Sequence, residues 1–126
     1  MRAIGTDDAP LPIGPYAQAI VSGNLLFTAG QLGIDPASGT LVGGEIEEEV
    51  SQALHNLATV LGAGGSGPDR VLRTGMYVTD LSLSQRVNAV YAHYFPGPPQ
   101  PARSTVQVAA LPLGARFEID AIATRA

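Results

Sequence analysis

The sequence has no cysteine, no lysine and no tryptophan. Without Cys there is no disulfide, thiolate nucleophile, thiolate zinc site or iron–sulfur cluster. Without Lys there is no Schiff-base amine, no pyridoxal phosphate anchor and no phosphate-loop lysine. All seven basic residues are Arg. Two His, His55 and His93, do not make a metal site alone. Acidic residues outnumber basic ones and the net charge is −4. That argues against a broad nucleic-acid surface, which needs clustered cations. No run approaches the length of a membrane-spanning segment. Residues 1–12 lack a charged stretch followed by an apolar run, so no signal peptide is expected and the cytoplasm is the expected compartment.

What is present describes one α+β domain spanning residues 1–126. With 126 residues, 45% of them hydrophobic, the chain can bury roughly two-thirds of its unfolded surface. Pro and Gly divide it into short pieces. Residues 16–21 and 25–31 read as paired strands around a Ser22-Gly23-Asn24 turn. Glu45, Glu47, Glu48 and Glu49 then crowd the start of a helix, where the macrodipole favours carboxylates. Its apolar face is Ile46, Val50, Ala53, Leu54, Leu57, Val60 and Leu61. The glycine-rich run at residues 62–67 ends it and is not a phosphate loop, since it follows a helix and carries no Lys. Residues 71–79 read as a strand. Asp80 supplies a cap, and Val87, Val90, Tyr91, Tyr94 and Phe95 form a second helical stripe. The proline-rich stretch at 96–101 is a stiff loop, and residues 102–109 and 115–124 are the final strands.

Two helices cover one face of such a mixed sheet. The strands are apolar at both parities, as in Leu25-Leu26-Phe27, so the other face calls for a partner subunit.

Four polar positions stand out. Arg103 lies inside a strand just after the proline loop; a guanidinium there meets solvent, a structural carboxylate or a ligand carboxylate held bidentately. Glu118 and Asp120 share one face of the last strand, with Arg116 as the partner of a possible ion-pair ladder. In a pocket, Glu118 would serve as general acid or base. Tyr16 follows Gly14-Pro15 at a strand start, and Asn88 interrupts the second helical stripe as a candidate buried hydrogen-bonding residue. His55 and His93 have no partner pattern. If the last two strands pair antiparallel, an odd sum of opposed residue numbers puts Arg103 and Glu118 on one side. An even sum separates them unless a bulge or a second subunit intervenes.

Six segments occur in order: Ile13-Gly14-Pro15-Tyr16-Ala17-Gln18-Ala19, Phe27-Thr28-Ala29-Gly30-Gln31, Val78-Thr79-Asp80-Leu81, Val87-Asn88-Ala89-Val90-Tyr91, Pro101-Ala102-Arg103-Ser104-Thr105 and Phe117-Glu118-Ile119-Asp120-Ala121-Ile122-Ala123. The ordered set, from about Ile13 to Arg125, resembles the RidA family, also called YjgF or L-PSP. The resemblance implies a chorismate-mutase-like α+β fold, with a mixed sheet and two helices on one face. It also implies a homotrimer whose sheets form a central barrel, with clefts between subunits. The implied activity is cofactor-independent hydrolysis of reactive 2-imino acids, formed from enamines such as 2-aminoacrylate, to 2-keto acids and ammonia in metabolite damage control.

By position, Arg103 matches the arginine that pairs with the substrate carboxylate. Glu118 matches the glutamate that assists water and proton transfer. Tyr16 and Asn88 match pocket residues, Gly30 a backbone position lining the cleft, and Thr105 a position whose backbone holds substrate or water. Two positions depart from the deaminase pattern: Ala29 stands where a Ser precedes the glycine, and Thr105 where a Cys follows the arginine. Losing the hydroxyl at Ala29 removes one ligand hydrogen bond, about 0.5–1.5 kcal/mol. The second reading is a non-catalytic trimer that binds small carboxylates or regulates through them. A third, from the family's other label, is an endoribonuclease or translation inhibitor. It ranks below the others because Lys and a paired-His site are missing, although Arg70, Arg73 and Arg86 could cluster.

Overall fold

The computed structural model describes all 126 residues. Nine strands and two helices run in the order β1 (Arg2–Ile4), β2 (Ala19–Ser22), β3 (Leu25–Thr28), β4 (Gln31–Leu32), β5 (Ile34–Asp35), β6 (Thr40–Leu41), α1 (Ile46–Ala63), β7 (Val71–Val78), α2 (Ser84–Tyr94), β8 (Ala102–Gln107) and β9 (Phe117–Thr124). The main sheet follows β1-β2-β3-β9-β7-β8, with β4 also paired to β9, while β5 and β6 form a small hairpin. Only the β7–β8 pairing is parallel; the other pairings of the main sheet are antiparallel.

The α+β expectation holds, and so does the apolar face of α1. Every residue of that face is buried, packed with Leu26, Met76, Phe117, Ile119, Ala121 and Ala123 of the sheet. The expected hairpin turn is present, but it is only Gly23-Asn24, because Ser22 ends β2 and pairs with Leu25. Asp80 takes the Ser82 N–H at 2.9 Å and caps the short turn before α2. No helix is long and apolar enough to cross a membrane.

Several expectations need correction. The first strand of the hairpin begins at Ala19, so Tyr16 lies in the preceding loop, where Gly14-Pro15 turns the chain. The second strand stops at Thr28; Ala29 and Gly30 break it before β4, and there Ala29 N–H donates to Gln18 O at 2.8 Å. The last two strands do not pair with each other. β7 lies between them, because the parallel β7–β8 crossover through α2 inserts β7 beside β9. Arg116 precedes β9 and turns its guanidinium to Glu49 at 2.7 Å, so there is no ladder with Glu118 and Asp120.

Opposed residues on neighbouring strands share a face. The helix-covered face carries the row Arg103, Thr74, Ala121. The opposite face carries Val106, Tyr77, Glu118 and, one step along, Ser104, Gly75, Asp120. Further across that uncovered face run Ile20, Phe27 and Ile122. Phe27 and Val106 are exposed in the single chain.

Candidate functional site

Glu118 is fixed from below by β9 and from the side by the Ala29-Gly30 break. It is half-buried, and Gly30 lies so close that a β-carbon there would fall on the carboxylate, 2.7 Å from Cδ. Tyr16, Gly30, Gln31, Leu32, Ile34, Pro112 and Glu118 line one cleft together with the N-terminal segment from Pro10 to Ile13. Burial raises the Glu118 pKa above its ordinary 4.5, and the like charge of Asp120 raises it further. No salt bridge neutralises Glu118.

Side chains that the sequence reading did not single out hold this cleft in shape. Gln18 is buried and binds the N-terminal segment: its Oε1 accepts Thr6 N–H at 2.6 Å, and its Nε2 donates to Thr6 O and Pro10 O at 3.1 and 2.8 Å. Asn56 of α1 is fully buried and donates to Leu32 O and Ile34 O at 3.0 and 2.8 Å, which pins β4 and β5. Glu49 accepts the Arg116 and Phe117 N–H groups at 2.6 and 3.2 Å and so fixes the entry to β9, two residues before Glu118. A carboxylate at that point of α1 fits the macrodipole pattern equally well, so only the fold distinguishes Glu49 from Glu45, Glu47 and Glu48. The Tyr16 hydroxyl accepts the Ile13 N–H at 3.2 Å and steadies the rim of the cleft.

Arg103 belongs to a second cleft, on the other side of the sheet, of about 330 Å³. Asn88, Tyr91, Ala92, Gln100, Pro101 and Arg103 line it. Arg103 Nη1 donates to Asn88 Oδ1 at 2.8 Å, and its guanidinium carbon lies 4.9 Å from the centre of the Tyr91 ring. Asn88 is therefore exposed and turned to Arg103, not buried in the helical stripe as expected. Thr105 is two residues further along β8, half-buried on the same face as Arg103. Within one chain, Arg103 and Asn88 line one cleft, with Thr105 on the same strand face, and Tyr16, Gly30 and Glu118 line the other, with Ala29 next to Gly30 in sequence. The parity question has its answer in the intervening strand: Arg103 stands opposite Thr74, whereas Glu118 stands opposite Tyr77.

The three other candidate arginines do not cluster. Arg86 meets Glu45 and Glu47 at 2.8 and 2.7 Å across the two helix starts. Arg73 donates to Ser104 Oγ at 3.1 Å on the uncovered face of the sheet, while Arg70 closes the short turn before β7.

A two-helix α+β chain with one uncovered sheet face, an unpaired arginine over an aromatic ring and a half-buried glutamate defines a small-molecule class of site. Residues 6–125 match the family model described as Endoribonuclease L-PSP. The chain belongs to this family, the RidA (YjgF/L-PSP) family. It is 46% identical over 123 residues to Reactive Intermediate Deaminase A, chloroplastic, of Arabidopsis thaliana, covering 98% of this chain and 65% of that protein. It is 43% identical over 122 residues to the 2-iminobutanoate/2-iminopropanoate deaminase of Homo sapiens, covering 97% and 88% of the two chains. Among solved structures, RidA from an Antarctic Psychrobacter superposes with a TM-score of 0.94 at 36% identity, covering 98% of this chain and 99% of that one. E. coli TdcF with bound serine superposes with a TM-score of 0.93 at 33% identity, covering all of both chains.

Proposed function

We propose that the protein hydrolyses small 2-imino acids to 2-keto acids and ammonia, in a site completed between subunits of a homotrimer. The observation that carries this is the separation of two uncompensated groups. Arg103 and Glu118 each lack a salt-bridge partner, and they occupy opposite faces of one sheet. A carboxylate-bearing substrate that needs both is served when the Arg103 cleft of one copy abuts the Glu118 cleft of another. The uncovered row of Ile20, Phe27 and Ile122 supplies an apolar surface for that association. The names of the Arabidopsis and human relatives support the reaction, and the serine in the E. coli relative supports a small amino-acid-like ligand.

In this reading Arg103 binds the substrate carboxylate through its free N–H groups and Asn88 orients it. Tyr16 and Gly30 shape the wall beside the imine, and the Thr105 backbone holds substrate or water. Glu118 takes a proton from water as the water oxygen bonds to the imine carbon, and that proton passes to the nitrogen. The resulting carbinolamine loses its hydroxyl proton to Glu118 as the C–N bond breaks. Glu118 hands that proton to the departing nitrogen, so ammonia leaves, the carboxylate is regenerated and the 2-keto acid remains. The group's raised pKa suits this exchange in both directions. No cofactor enters the scheme. It proceeds as a single domain over the whole chain and in the cytoplasm.

The test is a coupled assay. An amino-acid oxidase or dehydratase generates the imine, and semicarbazide traps what is left. Catalytic amounts of the protein should suppress semicarbazone formation, and Arg103→Ala should abolish the effect. Binding of 2-keto acids without suppression would favour the non-catalytic reading instead, with Ala29 and Thr105 as the responsible positions.

A further inference from the structure

We propose that Tyr91, held in place by Thr74, is a positioning residue that fixes the Arg103 guanidinium for an anionic ligand without neutralising it. The inference rests on the reading in which Arg103 binds the substrate carboxylate.

The starting observation is a contrast among the arginines. Arg86 and Arg116 meet carboxylates. Arg103 meets two neutral groups, the amide oxygen of Asn88 and the ring of Tyr91. Both come from α2, three residues apart and therefore on one helix face. A carboxylate partner would orient the guanidinium and cancel its charge. An amide and a π-face orient it and leave the charge available. With Nη1 engaged by Asn88, Nε and Nη2 remain to meet a ligand carboxylate side by side.

The ring itself is not free to tilt. Its hydroxyl lies 2.8 Å from Thr74 Oγ1, and both residues are buried. Phe95 packs against the same ring at 4.6 Å between centroids. Thr74 is the residue directly opposite Arg103 in the β7–β8 ladder. A closed circuit results: β7 fixes Thr74, Thr74 fixes the Tyr91 hydroxyl, the ring underlies Arg103, and β8 returns the chain to its place beside Thr74. Three elements thus determine the plane of one charged group, which a long flexible side chain on an exposed edge strand could not determine alone.

The experiment reads the π-face separately from the packing. Tyr91→Phe is made with zero, one, two or three ring fluorines, which withdraw electron density and change the ring's shape little. The dissociation constant of 2-oxobutanoate is measured by titration calorimetry, with KM and kcat for the imino acid and Tm alongside. Expected is a stepwise rise in Kd and KM, about three- to tenfold across the series, with kcat and Tm nearly flat. Thr74→Val should raise KM in the same direction. A flat Kd series, in a protein whose Arg103→Ala variant no longer binds 2-oxobutanoate, overturns the role of Tyr91 and leaves the arginine reading standing. Wild-type affinity in Arg103→Ala, or no binding by the wild-type protein, overturns both. Arg103-dependent binding with a graded series but no turnover supports the inference and retires the deaminase reading.

Discussion

The Glu118 carboxylate occupies the space that a side chain at residue 30 would need. Gly30 therefore sets the position of that carboxylate through what it lacks. Gly30→Ala must push the carboxylate outward, toward the open face. The expected result is a loss in kcat of about tenfold or more, because small displacements of a reacting group are costly. Tm should move little, since the loop is only partly buried. Unchanged kinetics in Gly30→Ala would show that the position of Glu118 does not matter to the reaction.

Glu118→Gln keeps the shape and removes the group proposed to transfer protons. A fall in kcat of about 10²- to 10⁴-fold with a smaller change in KM is expected from steady-state rates.

The same variant carries a pH signature. The folded pKa of Glu118 is raised, so between 4.5 and that raised value the folded protein binds more protons than the unfolded chain. Wild-type stability must then fall as pH rises through this window and level off above it. Relative to wild type, Glu118→Gln should gain Tm as the pH goes from about 4.5 to neutral. A Tm difference, Glu118→Gln minus wild type, that falls as the pH rises would refute the assigned direction.

Mixing subunits tests the composite site. In the proposed composite site, Arg103→Ala and Glu118→Gln would each disable one half of every site in their own homo-oligomer. Co-expressed, they should regain part of the wild-type deaminase activity, because some interfaces receive both intact halves. Activity that stays at the level of the parents in a verified mixed oligomer would mean that each chain needs both groups itself.

Glu49→Ala addresses the support beneath the site. Its removal strips Arg116 of its partner and leaves the backbone N–H groups of Arg116 and Phe117 without an acceptor. The cost should be about 3–5 kcal/mol, read as a drop in Tm of about 10 °C or more. Glu47→Ala, whose carboxylate meets Arg86 at the surface, should change Tm far less.

Much of this was legible in the chain itself. The helical stripe of α1, the hairpin turn around Gly23-Asn24 and the Asp80 cap follow from local periodicity and turn chemistry, which need no tertiary information. Arg103 and Glu118 stood out because a charge inside a strand demands a partner. Tyr91 was visible only as one apolar member of a stripe, since nothing local distinguishes a core tyrosine from one that underlies a cation. Glu49 was hidden for a similar reason among Glu45, Glu47 and Glu48.

The α+β class, the uncovered sheet face and the residue types able to do chemistry follow from composition and from periods of two and 3.6 residues along the chain. The tertiary structure alone decided the strand order. Inserting β7 between β8 and β9 is a long-range pairing that no local spacing encodes. That insertion sets Arg103 opposite Thr74 and Glu118 opposite Tyr77, and so places the two charged groups on opposite faces of one sheet.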